Sequence, residues 1–344
     1  MRCLRVLAVA LLLPLCLIAD AGQDEKPWIV YDGFDGPGKG KHIVFVSGDE
    51  EYRSEETLPQ MAKILAKHHG FKCTVLFAID PKTGIISPQT NNNIPGLEVL
   101  KDADLMVIFT RFRNLPDAQM KHIADYVETG KPVIGLRTAT HAFQLSKTSN
   151  YLKFTHTSKE WDGGFGRQIL GETWVTHYVP NGKGWTRGVL VKDNANHPIL
   201  CGIKDGDIFG PTGVYEVKLP MRESCTPLVL GQAVSPPKKG ETVGGAPLGG
   251  KYNNPMMPVA WTNTFKAPSG KTGRAFCTTM GASQDFANEG MRRLLINATY
   301  WTLGMEAQIR EQSKVDTVGD FKATQYKSGG HVKGVKPVTL KMEK

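Results

Sequence analysis

Charged and hydroxyl side chains stand directly after several apolar runs of this sequence. The run at residues 42–48, HIVFVSG, leads into Asp49, Glu50 and Arg53. Three further runs, at 103–110, 131–136 and 273–281, lead into Arg111, Arg113, Arg137, Thr138, Thr140, His141, Ser283 and Asp285. Because ligands of open parallel sheets bind beyond the carboxyl ends of the strands, we expect these separated segments to meet at one edge of a sheet.

The residue types at these positions favour a ligand rich in oxygen atoms. Arginine forms forked hydrogen bonds to carboxylates and phosphates, and a mixture of arginine and carboxylate also suits sugar hydroxyls. The predicted ligand-binding residues are Glu50, Arg53, Arg111, Arg113, Arg137, Thr138, Thr140 and Ser283. His141 is the predicted proton-transfer residue, with Asp49 and Asp285 as acid or base partners.

Histidines also allow a different chemistry. His141, His156 and His177 could together hold a metal ion, but scattered histidines without ligand spacing are a weak signal, so no cofactor is expected. His141 is expected near the start of a helix that follows the strand at 131–136.

The tryptophans could belong to the core or to a sugar-stacking platform. Trp174 is expected in the core, whereas Trp161 and Trp185 lie in predicted loops and are expected to be more open.

The elements that must position these residues follow from apolar periodicity. Helical spacing predicts helices at 55–70, 116–130 and 288–304. Apolar runs predict strands at 42–48, 73–80, 103–110, 131–136, 173–179, 186–192, 225–234, 257–265 and 273–281. Buried strands that alternate with amphipathic helices predict an α/β fold, with a parallel sheet covered by helices on both faces.

Residues 1–21 have the pattern of a secretory signal peptide. Arg2 and Arg5 precede an apolar run that ends in Ala19-Asp20-Ala21, a small-residue cleavage pattern. The pattern predicts a periplasmic or secreted protein without stable membrane insertion. We divide the remaining chain into an N-terminal extension at 22–40, a domain at 41–305 with a long loop at 235–257, and a polar, lysine-rich tail at 306–344. The tail is expected to be extended or disordered.

The charge and the cysteines exclude some classes of protein. Removal of residues 1–21 leaves 40 basic and 32 acidic residues, a net charge of +8, without the basic-aromatic stripe of a nucleic-acid-binding protein.

Cys73, Cys201, Cys225 and Cys277 remain, and their spacing matches no zinc site. Buried free thiols are favoured over disulfides, although an exported chain permits both.

The ordered set of runs from HIVFVSG to LLINATYWTLGME resembles the ThuA-like (trehalose utilisation) family over residues 41–305. That family belongs to the class I glutamine-amidotransferase-like superfamily, so the resemblance implies a flavodoxin-like fold. It also implies a role in carbohydrate metabolism, with a disaccharide or a keto-sugar as the class of ligand.

One departure from the superfamily pattern bears directly on activity. Glutamine amidotransferases have a catalytic cysteine at the strand-to-helix junction, and ThuA-like proteins commonly have histidine there, whereas this chain has Arg137. The later His-x-Glu element of amidotransferases is also missing, and Met280-Gly281-Ala282-Ser283 stands near its place. Because arginine stays protonated, it cannot act as a nucleophile, and amidotransferase activity is not expected.

Three hypotheses follow for the function. The first is an exported sugar-binding protein, with hydrolase or lyase activity left open. The second is a binding module that has lost its chemistry, and the third is a metal-dependent hydrolase that uses the three histidines. A dinucleotide oxidoreductase is disfavoured, since no G-x-G-x-x-G follows the first predicted strand. The expected partner is a small carbohydrate, and the sequence is compatible with a monomer or an oligomer.

Overall fold

The computed structural model describes residues 26–238 and 244–342. The predicted signal peptide, including Cys3 and Cys16, lies outside the described residues. The strands are β1 (Trp28–Tyr31), β2 (His42–Gly48), β3 (Lys72–Phe77), β4 (Leu105–Thr110), β5 (Val133–Leu136), β6 (Thr176–His177), β7 (Trp185–Leu190), β8 (Phe209–Gly210), β9 (Tyr215–Glu216), β10 (Cys225–Val234), β11 (Met257–Lys266) and β12 (Thr272–Thr278). The α-helices are α1 (Ser54–His69), α2 (Asp117–Glu128), α3 (Ser283–Phe286) and α4 (Glu289–Thr302).

Ten of these strands form one mixed sheet in the order β1-β3-β2-β4-β5-β12-β11-β10-β7-β8. The five central strands, β3-β2-β4-β5-β12, are parallel. β1 joins one edge in the antiparallel sense, and β11, β10, β7 and β8 extend the other edge in the antiparallel sense. The expected α/β fold is confirmed, but the expectation of a parallel sheet holds only for its centre.

The helix α1 illustrates why the predicted elements form. Leu58, Met61, Ile64 and Leu65 are fully buried on one side, at the spacing that the sequence predicted. Acidic residues occupy the first turn and basic residues the last, as the helix dipole favours. Gly70 ends the helix with a φ of 78°, a left-handed conformation that glycine adopts without steric cost.

Two predicted elements are shorter than expected. The stretch 173–179 forms only the two-residue strand β6, which pairs with β9 in a separate two-stranded sheet. The expected helix after β5 is only a short 3₁₀ turn, Arg137–His141, so His141 ends a turn instead of starting a helix.

The chain after α4 is extended and lies along the domain. Ile309, Val315 and Val318 are buried, and the backbone carbonyl of Leu340 accepts a hydrogen bond of 2.7 Å from the Tyr31 hydroxyl. We call residues 319–342 the C-terminal segment. At the other end of the described chain, β1 lies within the predicted N-terminal extension.

The described cysteines are free thiols, with Cys73, Cys225 and Cys277 buried and Cys201 half-buried. Over residues 26–238 and 244–342, no helix has both the length and the apolar character needed to cross a bilayer.

Candidate functional site

The junction after β5 has an unusual backbone conformation. Arg137 has a φ of 46°, in the left-handed region that few residues other than glycine adopt. Its backbone N–H donates to the Met280 carbonyl at 3.2 Å, which ties the junction to the chain that follows β12. Such a conformation persists only where its surroundings hold it in place, and it often marks a functional position.

The Arg137 side chain is fully enclosed by protein. Its Nη1 donates to the backbone carbonyls of Gly213 and Thr279, at 2.9 and 2.5 Å. The guanidinium lies 3.8 Å from the ring centre of Tyr215 and 4.5 Å from that of Tyr52. Burial acts to lower the pKa of Arg137, but Tyr215, Tyr52 and Asp285 outweigh it and raise the pKa. The residue is therefore an internal cation, not a side chain that projects into an open cleft.

The two predicted catalytic carboxylates are internal as well. Asp49 accepts hydrogen bonds from the Thr138 hydroxyl and from the backbone N–H groups of Glu51 and Tyr52. Asp285 accepts from the Thr212 side chain and backbone and from the N–H groups of Gly281 and Ala282. Both carboxylates are fully buried, and burial raises the pKa of each. These contacts connect loops at the strand ends, and a catalytic role for either residue stays a prediction.

The predicted arginines in the loop after β4 form ion pairs with the loop after β2. Glu50 pairs with Arg111 and, at 2.7 Å, with Arg113, while Arg111 also lies 3.5 Å from Glu51. Arg113 is buried and donates to backbone carbonyls of Arg111, Pro88 and Thr90 as well. Arg111 keeps about a quarter of its side chain exposed, so it is the member of this group that a ligand can reach.

Of the predicted residues, Arg53 contacts the C-terminal segment directly, and Ser283 contacts Glu56, which binds that segment. Arg53 is buried, and its Nη2 donates to the Lys327 carbonyl at 2.8 Å. Ser283 donates to Glu56, which also accepts from the backbone and side chain of Thr324. The C-terminal segment thus fixes the loop that carries several predicted residues.

Six rings gather where these loops meet, and we call them the ring cluster: Phe112, His141, His156, Trp174, His177 and Tyr215. His141 lies 4.8 Å from Phe112 and 5.0 Å from Trp174, measured between ring centres. His177 and Tyr215 are paired residues of β6 and β9, with ring centres 5.1 Å apart. Trp174 was expected in the core; instead it is half-buried and part of this cluster.

The other two tryptophans considered from the sequence do not join the ring cluster. Trp161 packs on Phe154, and Trp185 lies in β7 against Phe209.

Each histidine of the ring cluster has one ring nitrogen beside a hydrogen-bond partner and one without a partner among the described residues; His156 and His177 are half-buried, and His141 is buried. Nδ1 of His141 lies next to the Thr140 hydroxyl, and Nδ1 of His156 lies next to the Phe143 carbonyl. Nε2 of His177 lies next to the Tyr52 hydroxyl. The second ring nitrogens have no partner among the described residues and are not enclosed. The indole N–H of Trp174 is enclosed and has no partner there either.

The histidines of the ring cluster are held in their neutral form. Burial lowers the pKa of all three, and Arg111 and Arg137 also lower the pKa of His141 and His177. Together these causes lower the pKa of His177 to about 4. Neutral imidazoles can accept a proton or a hydrogen bond at neutral pH, which is the chemistry that a general base or a polar ligand site requires.

Nothing in the described part of the chain forms a ready metal site. No group of three or more histidine, cysteine, aspartate or glutamate side chains is arranged there to hold a metal ion. The ring centres of His141 and His156 are 6.4 Å apart.

The sequence prediction did not include several residues that lie beside the predicted ones. Phe112 lies between Arg111 and Arg113 in the loop after β4, so the strand-end rule could have included it. Tyr215 lies in the two-residue strand β9, and Asn181, whose Nδ2 is 2.8 Å from the Tyr52 hydroxyl, lies between β6 and β7. The strand-end rule assigns neither of them to this place.

A cavity among the described residues lies elsewhere, at the C-terminal end of α1. It has a volume of about 520 Å³ and is lined by Pro37, His68, His69, Tyr300, Gln308, Arg310 and residues 311–314. None of the predicted site residues lines it.

The comparisons with known proteins identify the family of the chain. A ThuA-like protein from Bacteroides uniformis ATCC 8492 is 16% identical, with a TM-score of 0.47, and the alignment covers 79% of this chain and 95% of that chain. A ThuA-like protein from Parabacteroides merdae ATCC 43184 is 15% identical, with a TM-score of 0.45, over 84% of this chain and 97% of that chain. No curated protein matches the chain. The model of the ThuA family, described as trehalose utilisation, matches residues 42–302, and the chain therefore belongs to the ThuA family.

Proposed function

We propose that the protein binds a sugar-like ligand at the ring cluster. The observation that carries this proposal is the combination of aromatic faces with three neutral histidines at the strand ends, each with one ring nitrogen that has no hydrogen-bond partner among the described residues. Aromatic faces suit the C–H surfaces of a pyranose, and a few placed polar groups fix the orientation of a small ligand. Arg111 adds a reachable cation that can donate to a carboxylate or a carbonyl oxygen of the ligand.

The family supports a carbohydrate as the class of ligand. Its description is trehalose utilisation, so we propose a disaccharide or a keto-sugar derived from one. We also propose a flavodoxin-like arrangement for the central sheet, supported by the parallel order β3-β2-β4-β5-β12. The pattern of residues 1–21 supports export to the periplasm or beyond the cell.

Glutamine amidotransferase activity is not part of the proposal. The junction after β5 carries Arg137, which is enclosed and cationic, where such an enzyme needs an accessible thiol. The nearby thiol of Cys277 is buried in β12, and burial raises its pKa well above the usual value. A buried, protonated thiol is a poor nucleophile.

A binding module without turnover is the second candidate function. The hydrogen bonds of Asp49 and Asp285 favour it, because both carboxylates are already used to hold loops together. The two candidates agree on the site and differ only in whether a bound sugar is converted.

A thermal-shift screen of the chain without residues 1–21 tests the proposal. The panel consists of trehalose and other neutral sugars, keto-sugars and sugar acids. A ligand that binds only the folded state raises the melting temperature. We expect at least one sugar to raise it, and Trp174→Ala to abolish the shift, because that change removes a ring and an indole N–H from the ring cluster.

Trp161→Ala is the matched control. Trp161 is also half-buried, but it packs on Phe154, outside the ring cluster, so the shift should persist in that variant. A sugar-induced shift that survives Trp174→Ala, or no shift with any member of the panel, would contradict the proposal.

A further inference from the structure

The hydroxyl group of Tyr52 has an unusual set of neighbours. Asn181 Nδ2 lies 2.8 Å from it, Arg137 Nη2 lies 3.3 Å from it, and His177 Nε2 lies 3.4 Å from it. Asn181 Nδ2 also donates to the Glu51 carboxylate at 3.2 Å, which identifies it as the amide nitrogen of that side chain. Tyr52 is fully buried, so these contacts define the surroundings of its hydroxyl.

The roles of donor and acceptor follow from the chemistry of these groups. An amide NH₂ and a guanidinium can only donate hydrogen bonds, so the Tyr52 oxygen accepts from Asn181 and Arg137. The Tyr215 hydroxyl is also hydrogen-bonded to Tyr52. Burial raises the pKa of Tyr215, and because this bond raises it as well, Tyr215 is the donor. The Tyr52 oxygen carries one hydrogen of its own, and His177 Nε2 can accept it. If the His177 ring is neutral, that bond places its single N–H hydrogen on Nδ1. Burial, Arg137 and Arg111 keep the ring neutral because they lower its pKa.

The Nδ1 atom of His177 faces away from this network and is accessible. It has no hydrogen-bond partner among the described residues and is not enclosed. The ring belongs to the ring cluster, edge-on to Trp174 at 5.8 Å and to Tyr215 at 5.1 Å. A ligand bound against these rings would therefore meet the Nδ1–H of His177.

We propose that Tyr52 and His177 form a proton relay that ends on an oxygen atom of the bound sugar. The oxygen is the glycosidic oxygen of a disaccharide, and the relay rests on the sugar-binding function proposed above. His177 is the catalytic residue that touches the ligand, and Tyr52 is the second proton donor behind it.

The relay balances with water as the co-reactant, because water bonds to the anomeric carbon and its proton later returns through His177 to Tyr52. As the glycosidic C–O bond breaks, its electron pair stays on the ligand oxygen, which takes the proton from His177 Nδ1, and His177 Nε2 takes the proton of the Tyr52 hydroxyl. The electron pair of the broken O–H bond stays on the Tyr52 oxygen, so the imidazole ends neutral in its other tautomer. The negative charge thereby moves to an oxygen that already accepts hydrogen bonds from Arg137 and Asn181.

This scheme gives the arginine at the junction a role. Arg137 is a positioning residue that holds Tyr52 through a hydrogen bond and through contact with its ring, and its fixed charge stabilises the tyrosinate. Its buried position, which rules out direct nucleophilic chemistry, suits that role.

The hydrogen position on His177 tests the relay without any knowledge of the reaction. Protein labelled with ¹⁵N at histidine is examined at pH 7 by long-range ¹H–¹⁵N correlation, and His177→Asn identifies the signals of His177. We expect a neutral ring with its hydrogen on Nδ1. In Tyr52→Phe, the preference for this tautomer should be lost, because the hydroxyl that donates to Nε2 is removed.

Tyr300→Phe is the matched control. Tyr300 and His69 form another buried tyrosine–histidine pair, with Tyr300 Oη 2.8 Å from His69 Nδ1, and burial also lowers the pKa of His69 to about 4. This variant should change the signals of His69 and leave those of His177 as they are. A protonated ring, a hydrogen on Nε2 in the unmodified protein, or an unchanged tautomer in Tyr52→Phe would overturn the relay.

Titration with trehalose separates the relay from the proposed function. If both hold, trehalose should shift the signals of the ring-cluster histidines, including Nδ1 of His177. Shifts of His141 and His156 without a shift of His177 would support sugar binding and overturn the relay. The expected tautomer with no response to trehalose or to any other sugar of the panel would contradict the sugar-binding function. The relay would then be overturned as well, because His177 would have no ligand to protonate.

Discussion

Arg137 shows how the surroundings of a residue decide its role. A nucleophile at this junction would need an accessible side chain, whereas the guanidinium is enclosed by two tyrosine rings and two backbone carbonyls. Its charge still acts at a distance, because it lowers the pKa of His141 and His177. The residue therefore influences the site through its field and through Tyr52.

Residue types and strand ends predicted that separated loops meet, but they did not predict what each side chain contacts. Contacts between Asp49 and Thr138, and between Glu50 and Arg111, show that the separated strand ends do meet. The sequence could not show that Asp285 is already used by four hydrogen bonds within the fold, because that depends on how tightly the loops pack around it.

Glu55 allows a direct test of burial at the scale of one residue. Both oxygens of its carboxylate are enclosed without a hydrogen-bond partner from another residue. Burial raises its pKa from 4.5 to about 8, partly offset by its own backbone N–H and by Arg53. Because the folded state then binds the proton more tightly than the unfolded state, this contribution to stability is full below about pH 4.5 and is lost as the pH rises to about 8.

We therefore expect Glu55→Gln to be close to the unmodified protein in stability at pH 4.5 and more stable at pH 8.5. The gain should be on the order of 3 kcal/mol, since each unit of pKa shift corresponds to about 1.4 kcal/mol and the side chain as a whole is only half-buried. Urea unfolding at both pH values measures it. Glu98→Gln, at an exposed position, is the control and should show no such pH dependence. A gain that is equal at both pH values would contradict the buried carboxylic acid.

At the scale of elements, regular periodicity was a reliable guide and irregular segments were not. The strands at 42–48 and 225–234 have the predicted bounds, and the three long helices differ from prediction by one or two residues at each end. Residues 164–200 mix short turns with β6 and β7, and they supply Trp174, His177 and Asn181 to the site. Their conformation depends on tertiary contacts, so no local period in the sequence could predict it.

The C-terminal segment holds the loop between β2 and α1 from outside. The backbone N–H groups of Lys327 and Gly329 donate to the carbonyls of Glu51 and Glu50, each at 2.9 Å. The ring of Tyr326 lies 5.3 Å from that of Tyr52. Composition predicted an extended or disordered tail, and the structure shows an extended one. These contacts could not be predicted because each one depends on a partner more than 250 positions away.

Ending the chain after Val318 should therefore loosen the loop at residues 49–56. We expect amide hydrogen exchange of that loop to rise at least tenfold, with a lower melting temperature, while β5 and β12 keep their protection. A chain that ends after Met342 loses no described contact and is the control. Unchanged exchange at residues 49–56 in the shorter chain would show that the segment does not hold this loop.

At the scale of the whole molecule, the ring cluster and the cavity near α1 are two of the places that the described residues offer to a small ligand. The ring cluster lies where the loops after β2, β4 and β5 meet β6 and β9, and the cavity of about 520 Å³ lies at the far end of α1. Volume alone would favour the cavity, whereas the unpartnered indole N–H and the accessible imidazoles favour the ring cluster. The parallel strand order also favours the ring cluster, because it follows the carboxyl ends of the strands.

A crystal structure with the tightest-binding sugar of the thermal-shift panel decides between these places. The account predicts electron density for the sugar against Phe112 and Trp174, with one of its oxygens within hydrogen-bond distance of His177 Nδ1. Density instead beside His69 and Tyr300, in the cavity at the end of α1, would contradict the ring cluster as the site of the ThuA-family function in this protein.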